Sequence, residues 1–268
     1  MKNTLIVLIL IGFTSCSDLV SVPPDNIPES YALKNTLLGY PDSAGFIINR
    51  PQYVISYCGE LNSARWASWF VDKNSYGKVG RTQNNFLIDT ALPPNYTTVR
   101  HADYTNSGYD RGHLVRSEDR TKTVEDNRAT FFLTNAIPQY PNLNRGIWLR
   151  LEDYCKNLAQ KQNKQLFIKA GGLYSNNPQR VNDKIAIPDS CWKVILILDS
   201  GKTINDIDTN TQIIAVMMPN DSTSKNFKEW KVFLRTARQI EQATNFNFFP
   251  KVNPQTQAII ENRRYKNQ

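Results

Sequence analysis

The sequence predicts one α+β domain, and three observations carry that reading. Apolar runs of strand length recur along the chain, two segments show helical character, and the two kinds of element do not alternate strictly as βαβ units would. Tyr53–Tyr57, Ala129–Thr134, Gln165–Ala170, Trp192–Leu198 and Thr211–Met217 read as strands, several of them rich in Ile, Val and Phe. Gly171-Gly172 and Pro219-Asn220-Asp221 punctuate them as turns. From Asn144 onward, Trp148, Leu151, Cys155 and Leu158 recur at steps of three, four and three, which is one apolar helix stripe. Lys228–Thr244 is helical in composition, and the stretch from Asn245 to Pro250 supplies stop signals. The polar segment Glu261–Gln268 is expected to fray.

Composition narrows the function classes. Among 268 residues, 11% are aromatic and five are Trp, ring surface that needs a core and argues against disorder. The 12 Gly and 14 Pro exclude a collagen-like chain. Lys and Arg number 32 against 24 acidic residues, a formal charge of +8. A basic exported protein has three common acidic partners, namely nucleic acid, anionic lipid and polysaccharide, and charge alone does not choose among them.

The chain opens MKNTLIVLILIGFTSC. Its apolar run, Leu5 to Phe13, is too short to span a bilayer, which takes about 20 residues, and has the form of an export signal. Phe13-Thr14-Ser15-Cys16 further resembles a bacterial lipobox, with Phe13 where leucine is usual, so plain secretion stays open. The expected organisation is a signal peptide over 1–15, a Pro-containing tether over 16–36 starting at a lipidated Cys16, a domain over 37–252 and a tail over 253–268. The expected location is a bacterial cell envelope. Among the remaining cysteines, Cys155 and Cys191 are the favoured disulfide pair, with Cys58 simply buried; their spacings match no zinc pattern.

Two constellations can carry chemistry. The chain has only two histidines, and His113 ends the run Tyr109-Asp110-Arg111-Gly112-His113, a carboxylate, a guanidinium and an imidazole around a flexible glycine. His101 reads as structural or surface. The second constellation is Thr134-Asn135-Ala136-Ile137-Pro138-Gln139 followed by Asn142 through Trp148 and Leu151-Glu152. On a helix, Asn144 and Glu152 are separated by about 12 Å of rise and ~80° of rotation. They can share one hydrated cation if Asn144 binds it and Glu152 holds one of its waters, an arrangement that suits magnesium. The bland reading of the same pair is a capping Asn and a solvated Glu. Arg100, Arg116, Arg120, Lys122 and Arg128 flank this region as a candidate backbone-tracking stripe, or as a scattered solvated surface.

Tyr109-Asp110-Arg111-Gly112-His113-Leu114, Asn135–Gln139, Leu143–Trp148 and Leu151–Cys155 together resemble the DNA/RNA non-specific endonuclease family, with its ββα-metal active-site architecture on a mixed or antiparallel central sheet. The likeness is strong to secreted, sugar-non-specific bacterial nucleases and spans roughly residues 37–252. The resemblance implies that His113 is a general base and that Asn144 is the direct protein ligand of a magnesium ion, with manganese as a substitute. It implies that Glu152 and Asp110 orient water around that ion and that Asn135 supports the histidine. It implies that Arg111 and Arg81 contact phosphate, joined by Lys156 where relatives commonly carry arginine. The sequence departs from the family at Val115-Arg116-Ser117, where relatives often have Ala-Pro-Ala or Ala-Pro-Ser. Implied partners are DNA and RNA; some relatives have protein inhibitors, and nothing in this sequence reveals one. Two readings compete: a non-catalytic nucleic-acid-binding envelope lipoprotein, and an envelope structural protein.

Overall fold

A computed structural model describes residues 33–266. The signal, Cys16 and most of the tether lie outside the described residues. In chain order the strands are β1 (Phe46–Asn49), β2 (Val54–Cys58), β3 (Ser63–Val71), β4 (Asp110–His113), β5 (Ala136–Gln139), β6 (Lys164–Leu173), β7 (Arg180–Val181), β8 (Ile185–Ala186), β9 (Ser190–Asp199), β10 (Gln212–Pro219) and β11 (Leu234–Arg235). The helices named here are α1 (Val124–Ala129), α2 (Leu149–Gln160), α3 (Ala237–Thr244) and α4 (Pro254–Ile260).

Seven strands make one antiparallel sheet in the order β1-β2-β3-β6-β9-β10-β11. Its central strands read as almost unbroken apolar runs because both faces are covered. On β9, alternation sends Val194, Leu196 and Leu198 to one face and Cys191, Lys193 and Ile195 to the other. The first face packs against Ala237 and Ile240 of α3, Ile260 of α4, and Phe248 and Phe249. The second packs against the α2 stripe Leu151, Cys155 and Leu158, with Trp148 and Ile147 just before it. The result is three layers, with a two-stranded ribbon, β4 and β5, beside α2 on the second face.

Four expectations are corrected. Ala129–Thr134 is no strand; α1 ends there, and Phe131 and Leu133 are apolar because they enter a small third core, their backbones bonded to Leu87 on both sides. Only the second part of Lys228–Thr244 is helical. Trp230–Phe233 is a 3-10 turn and β11 adds to the sheet edge, so α3 starts where Thr236 and Gln239 form a capping box. The polar end does not fray before residue 266: Glu261 is buried and accepts from Arg238 and Gln257, Arg263 donates to the carbonyls of Thr209 and Thr211, and the Tyr265 and Tyr154 hydroxyls meet at 2.7 Å. The Cys155–Cys191 pair is not formed. Both are free buried thiols, pushed up to about 12 by burial, whereas Cys58 is disulfide-bonded.

Candidate active site

The ribbon begins with Asp110-Arg111-Gly112-His113 paired to Gln139-Pro138-Ile137-Ala136. Gly112 is needed for closeness: a Cβ there would stand 2.0 Å from Gln139 Oε1. After β5 the chain enters a wide turn over Leu143–Trp148, broken at Gly146 (φ −112°, ψ −109°), and continues as α2. Asn220 staples this junction to the sheet, accepting from Tyr140 N at 2.7 Å and donating to the carbonyls of Pro138 and Pro188 at 2.9 Å each. Strand, strand and helix thus bring residues 110–113 and 144–156 together.

Asp110 is where the two segments touch. Asn144 donates from Nδ2 to Asp110 Oδ2 at 2.9 Å, and Arg145 forks onto both oxygens at 2.8 and 2.5 Å. Holding the Asn144 amide by its nitrogen leaves Oδ1, the hard oxygen donor, as the atom available to a cation. Three residues further along β4, about 10 Å at strand rise, lies His113. Its ring sits against Phe86 (4.7 Å) and Phe131 (5.1 Å), and its Nε2 is buried without a hydrogen-bond partner among the described residues. Burial and then the nearby Arg81 and Arg116 charges push this imidazole down to about 3. It is therefore neutral at ordinary pH, with an unused acceptor or donor nitrogen.

Asn135 fixes the chain just past that ring. Fully buried, it accepts from Val115 N at 2.9 Å and donates to the carbonyls of Val115 (2.9 Å) and Thr130 (2.8 Å). Replacing it by alanine removes three bonds worth about 1 kcal/mol each. N135A is expected to lose about 2–4 kcal/mol of stability, measured by denaturant unfolding, together with most activity.

Glu152 is buried on α2 between two cations. Lys193 Nζ lies 3.1 Å from Oε1 and Arg116 Nε 3.7 Å from Oε2. Burial raises its pKa, and Lys193 and Arg116 oppose the rise. Lys193 itself is 2% exposed and lies over the rings of Trp148 (4.3 Å) and Trp69 (5.5 Å).

The arginines expected to meet phosphate differ from one another. Arg81 is exposed and lies over Phe131 at 4.5 Å, in a loop pinned where Asn127 accepts from Thr82 N and Oγ1. Arg111 is committed to the fold, donating from Nε and Nη2 to the His101 carbonyl at 3.2 and 2.5 Å. His101 accepts from Phe86 N at 3.0 Å, the structural part expected of it. Lys156 pairs with Glu118 at 3.1 Å and lines a cleft of about 330 Å³ with Lys78 and Arg81. The candidate basic stripe is not a continuous surface. Arg120 is buried and donates to the carbonyls of Gln52 and Phe70, and Arg116 is buried among carboxylates.

A family model described as DNA/RNA non-specific endonuclease matches residues 34–255. The chain belongs to that family. A nuclease of Nostoc sp. is 37% identical, with 96% of this chain and 95% of the relative aligned. The human mitochondrial endonuclease G is 24% identical over 76% of this chain and 69% of its own. A crystal structure of EndoG in complex with EndoGI superposes with a TM-score of 0.73 at 22% identity, covering 86% of this chain and 96% of that one, and so shares the fold.

Sequence reading passed over several residues that build the site of this endonuclease. Lys193 carried a signal, being the lone charge in an apolar strand run. Arg145 follows Asn144 directly and is given no part until Asp110 is seen across from it. Asn127 and Asn220 act through contacts as far as 82 residues away and carry no local signal.

Proposed function

We propose that the endonuclease hydrolyses phosphodiester bonds in both DNA and RNA, using His113 as general base and a divalent cation held at Asn144. The observation that carries the reading is the neutral imidazole of His113, its buried Nε2 unpartnered, on the strand whose other end holds the Asn144 amide. Among the described residues no group of three or more His, Cys, Asp or Glu is arranged to hold a metal ion. A lone asparagine oxygen with a shell of water nevertheless fits magnesium, which sheds water reluctantly, and manganese would substitute. When bound, the cation would neutralise charge on the phosphate and on the departing oxygen.

The chain's own groups do the rest. His113 takes a proton from the attacking water at Nε2, an effect typically about 10²–10⁴-fold. Arg81 offers forked donors to the phosphate, and Lys78 and Lys156 add charge along the same cleft. Arg111 acts first as the clasp on His101 and reaches phosphate only with the nitrogens that clasp leaves over. Asp110 orients Asn144, and Glu152 holds water near the cation. Because such contacts address the backbone, bases go largely unread.

The test is digestion of plasmid DNA and of RNA by the purified chain from residue 17, with magnesium and with chelator. Cleavage of single- and double-stranded substrates alike, abolished by chelator and by N144A, supports the reading. Undiminished cleavage in chelator, or binding without cleavage under every metal, overturns it. We further propose, on the Met1–Cys16 sequence, a lipid anchor at Cys16 in a bacterial envelope; because Cys155 and Cys191 are free thiols, an anchored chain has no cysteine left to pair with Cys58, so the anchor and the Cys58 disulfide exclude one another. Metabolic labelling with a fatty acid that is lost in C16A supports the anchor, and unlabelled protein in the medium refutes it.

A further inference from the structure

Arg116 is the most connected charge in the site. Its residue is 8% exposed. One nitrogen, Nη2, reaches Glu118 at 2.8 Å and Asp153 at 2.9 Å, while Nε faces Glu152 at 3.7 Å. Glu118 in turn holds Lys156 at 3.1 Å. Three residues of the first two turns of α2, namely Glu152, Asp153 and Lys156, are therefore fastened to a segment that leaves β4 three positions after His113. We propose that Arg116 is a positioning residue that ties Glu152 to the strand carrying His113.

The geometry favours this over contact with substrate. Two carboxylates already share Nη2, and Nη1 is buried with no partner among the described residues, so no face of the guanidinium is offered to a phosphate. A planar fork can serve several carboxylates at fixed angles; an ammonium cannot. Burying such a network costs desolvation that ion pairing only partly offsets, so its return is a fixed geometry rather than stability.

The inference rests on Glu152 serving the proposed cleavage, and a double-mutant cycle separates the two. R116A, R116K, E152Q and R116A/E152Q are compared in the full chain, with magnesium as the metal and a duplex of defined sequence as substrate. R116A is expected to lower kcat at least about tenfold with KM within about threefold, the pattern of an interaction serving the transition state. R116K recovers part of kcat. In the E152Q background, R116A costs less than about threefold, because neighbours that act together are not additive. A rise in KM at unchanged kcat, or full additivity, overturns the proposal. The same four proteins are melted in chelator, where no cleavage is read. Coupled melting shifts support the tie even if the wild type cuts nothing, a result that would refute the nuclease reading alone; additive shifts refute the tie.

Discussion

H113Q is expected to lose cleavage by at least about 10²–10⁴-fold while keeping its affinity for nucleic acid, because only the proton acceptor is removed. Binding to an uncleaved oligonucleotide and initial rates on plasmid check the two halves separately. The same substitution has a second, opposite effect. In the unfolded chain the imidazole titrates near 6.5; in the fold, burial, Arg81 and Arg116 hold it at about 3. Between those values the unfolded chain binds the extra proton, so this group's stabilising contribution is present above about 6.5 and is lost as pH falls toward 3. H113Q removes the term. Its melting temperature is expected to fall less than that of the wild type between pH 7 and pH 4, and a parallel fall would refute the assignment. The kinetics follow the same displacement. From the imidazole alone, activity should decline through about pH 6–7; in its folded setting the acid limb is expected well below pH 6, read from kcat/KM at fixed free metal.

K193M carries a large expected structural effect. Methionine nearly matches the lysine stem in length, so the packing between Trp148 and Trp69 survives while the charge goes. Glu152 then keeps only Arg116, at 3.7 Å. Removing one partner of a buried ion pair costs roughly 3–5 kcal/mol, because the other charge stays buried and unpaired. The Arg116 contact places the expected loss at the lower end, about 3 kcal/mol, seen as a drop in melting temperature of several degrees. Glu152 responds by holding its proton to higher pH, so part of the lost stability is expected to return on acidification toward pH 5. K193M/E152Q, which removes both charges, should be more stable than K193M. If K193M melts with the wild type, the pairing does not contribute as argued.

Much of this molecule was legible before any coordinates, for a physical reason. Strands buried on both faces must be apolar throughout, and four of the five expected runs became β2, β6, β9 and β10, all in the one sheet. The α2 stripe announced itself because one helix face must meet that sheet. Strand β3, which mixes two Trp with Ser, Ala and Arg, gave no such run, and β4 and β5 are too short for a period to register. Ala129–Thr134 misled because apolar content marks burial, whatever the backbone does.

By itself the sequence determined the family, and it named Asp110, His113, Asn144 and Glu152 as candidates, which the fold carries on one ribbon, on the broken turn after it and on α2. Only the tertiary structure decided their state. Whether His113 is neutral, whether Glu152 meets Lys193 from the sheet beneath, and whether Arg111 is free or bound to His101 depend on charges and carbonyls brought from distant parts of the chain. A pKa and an ion pair are set by distance through space and by the exclusion of water, and neither quantity is written along the chain.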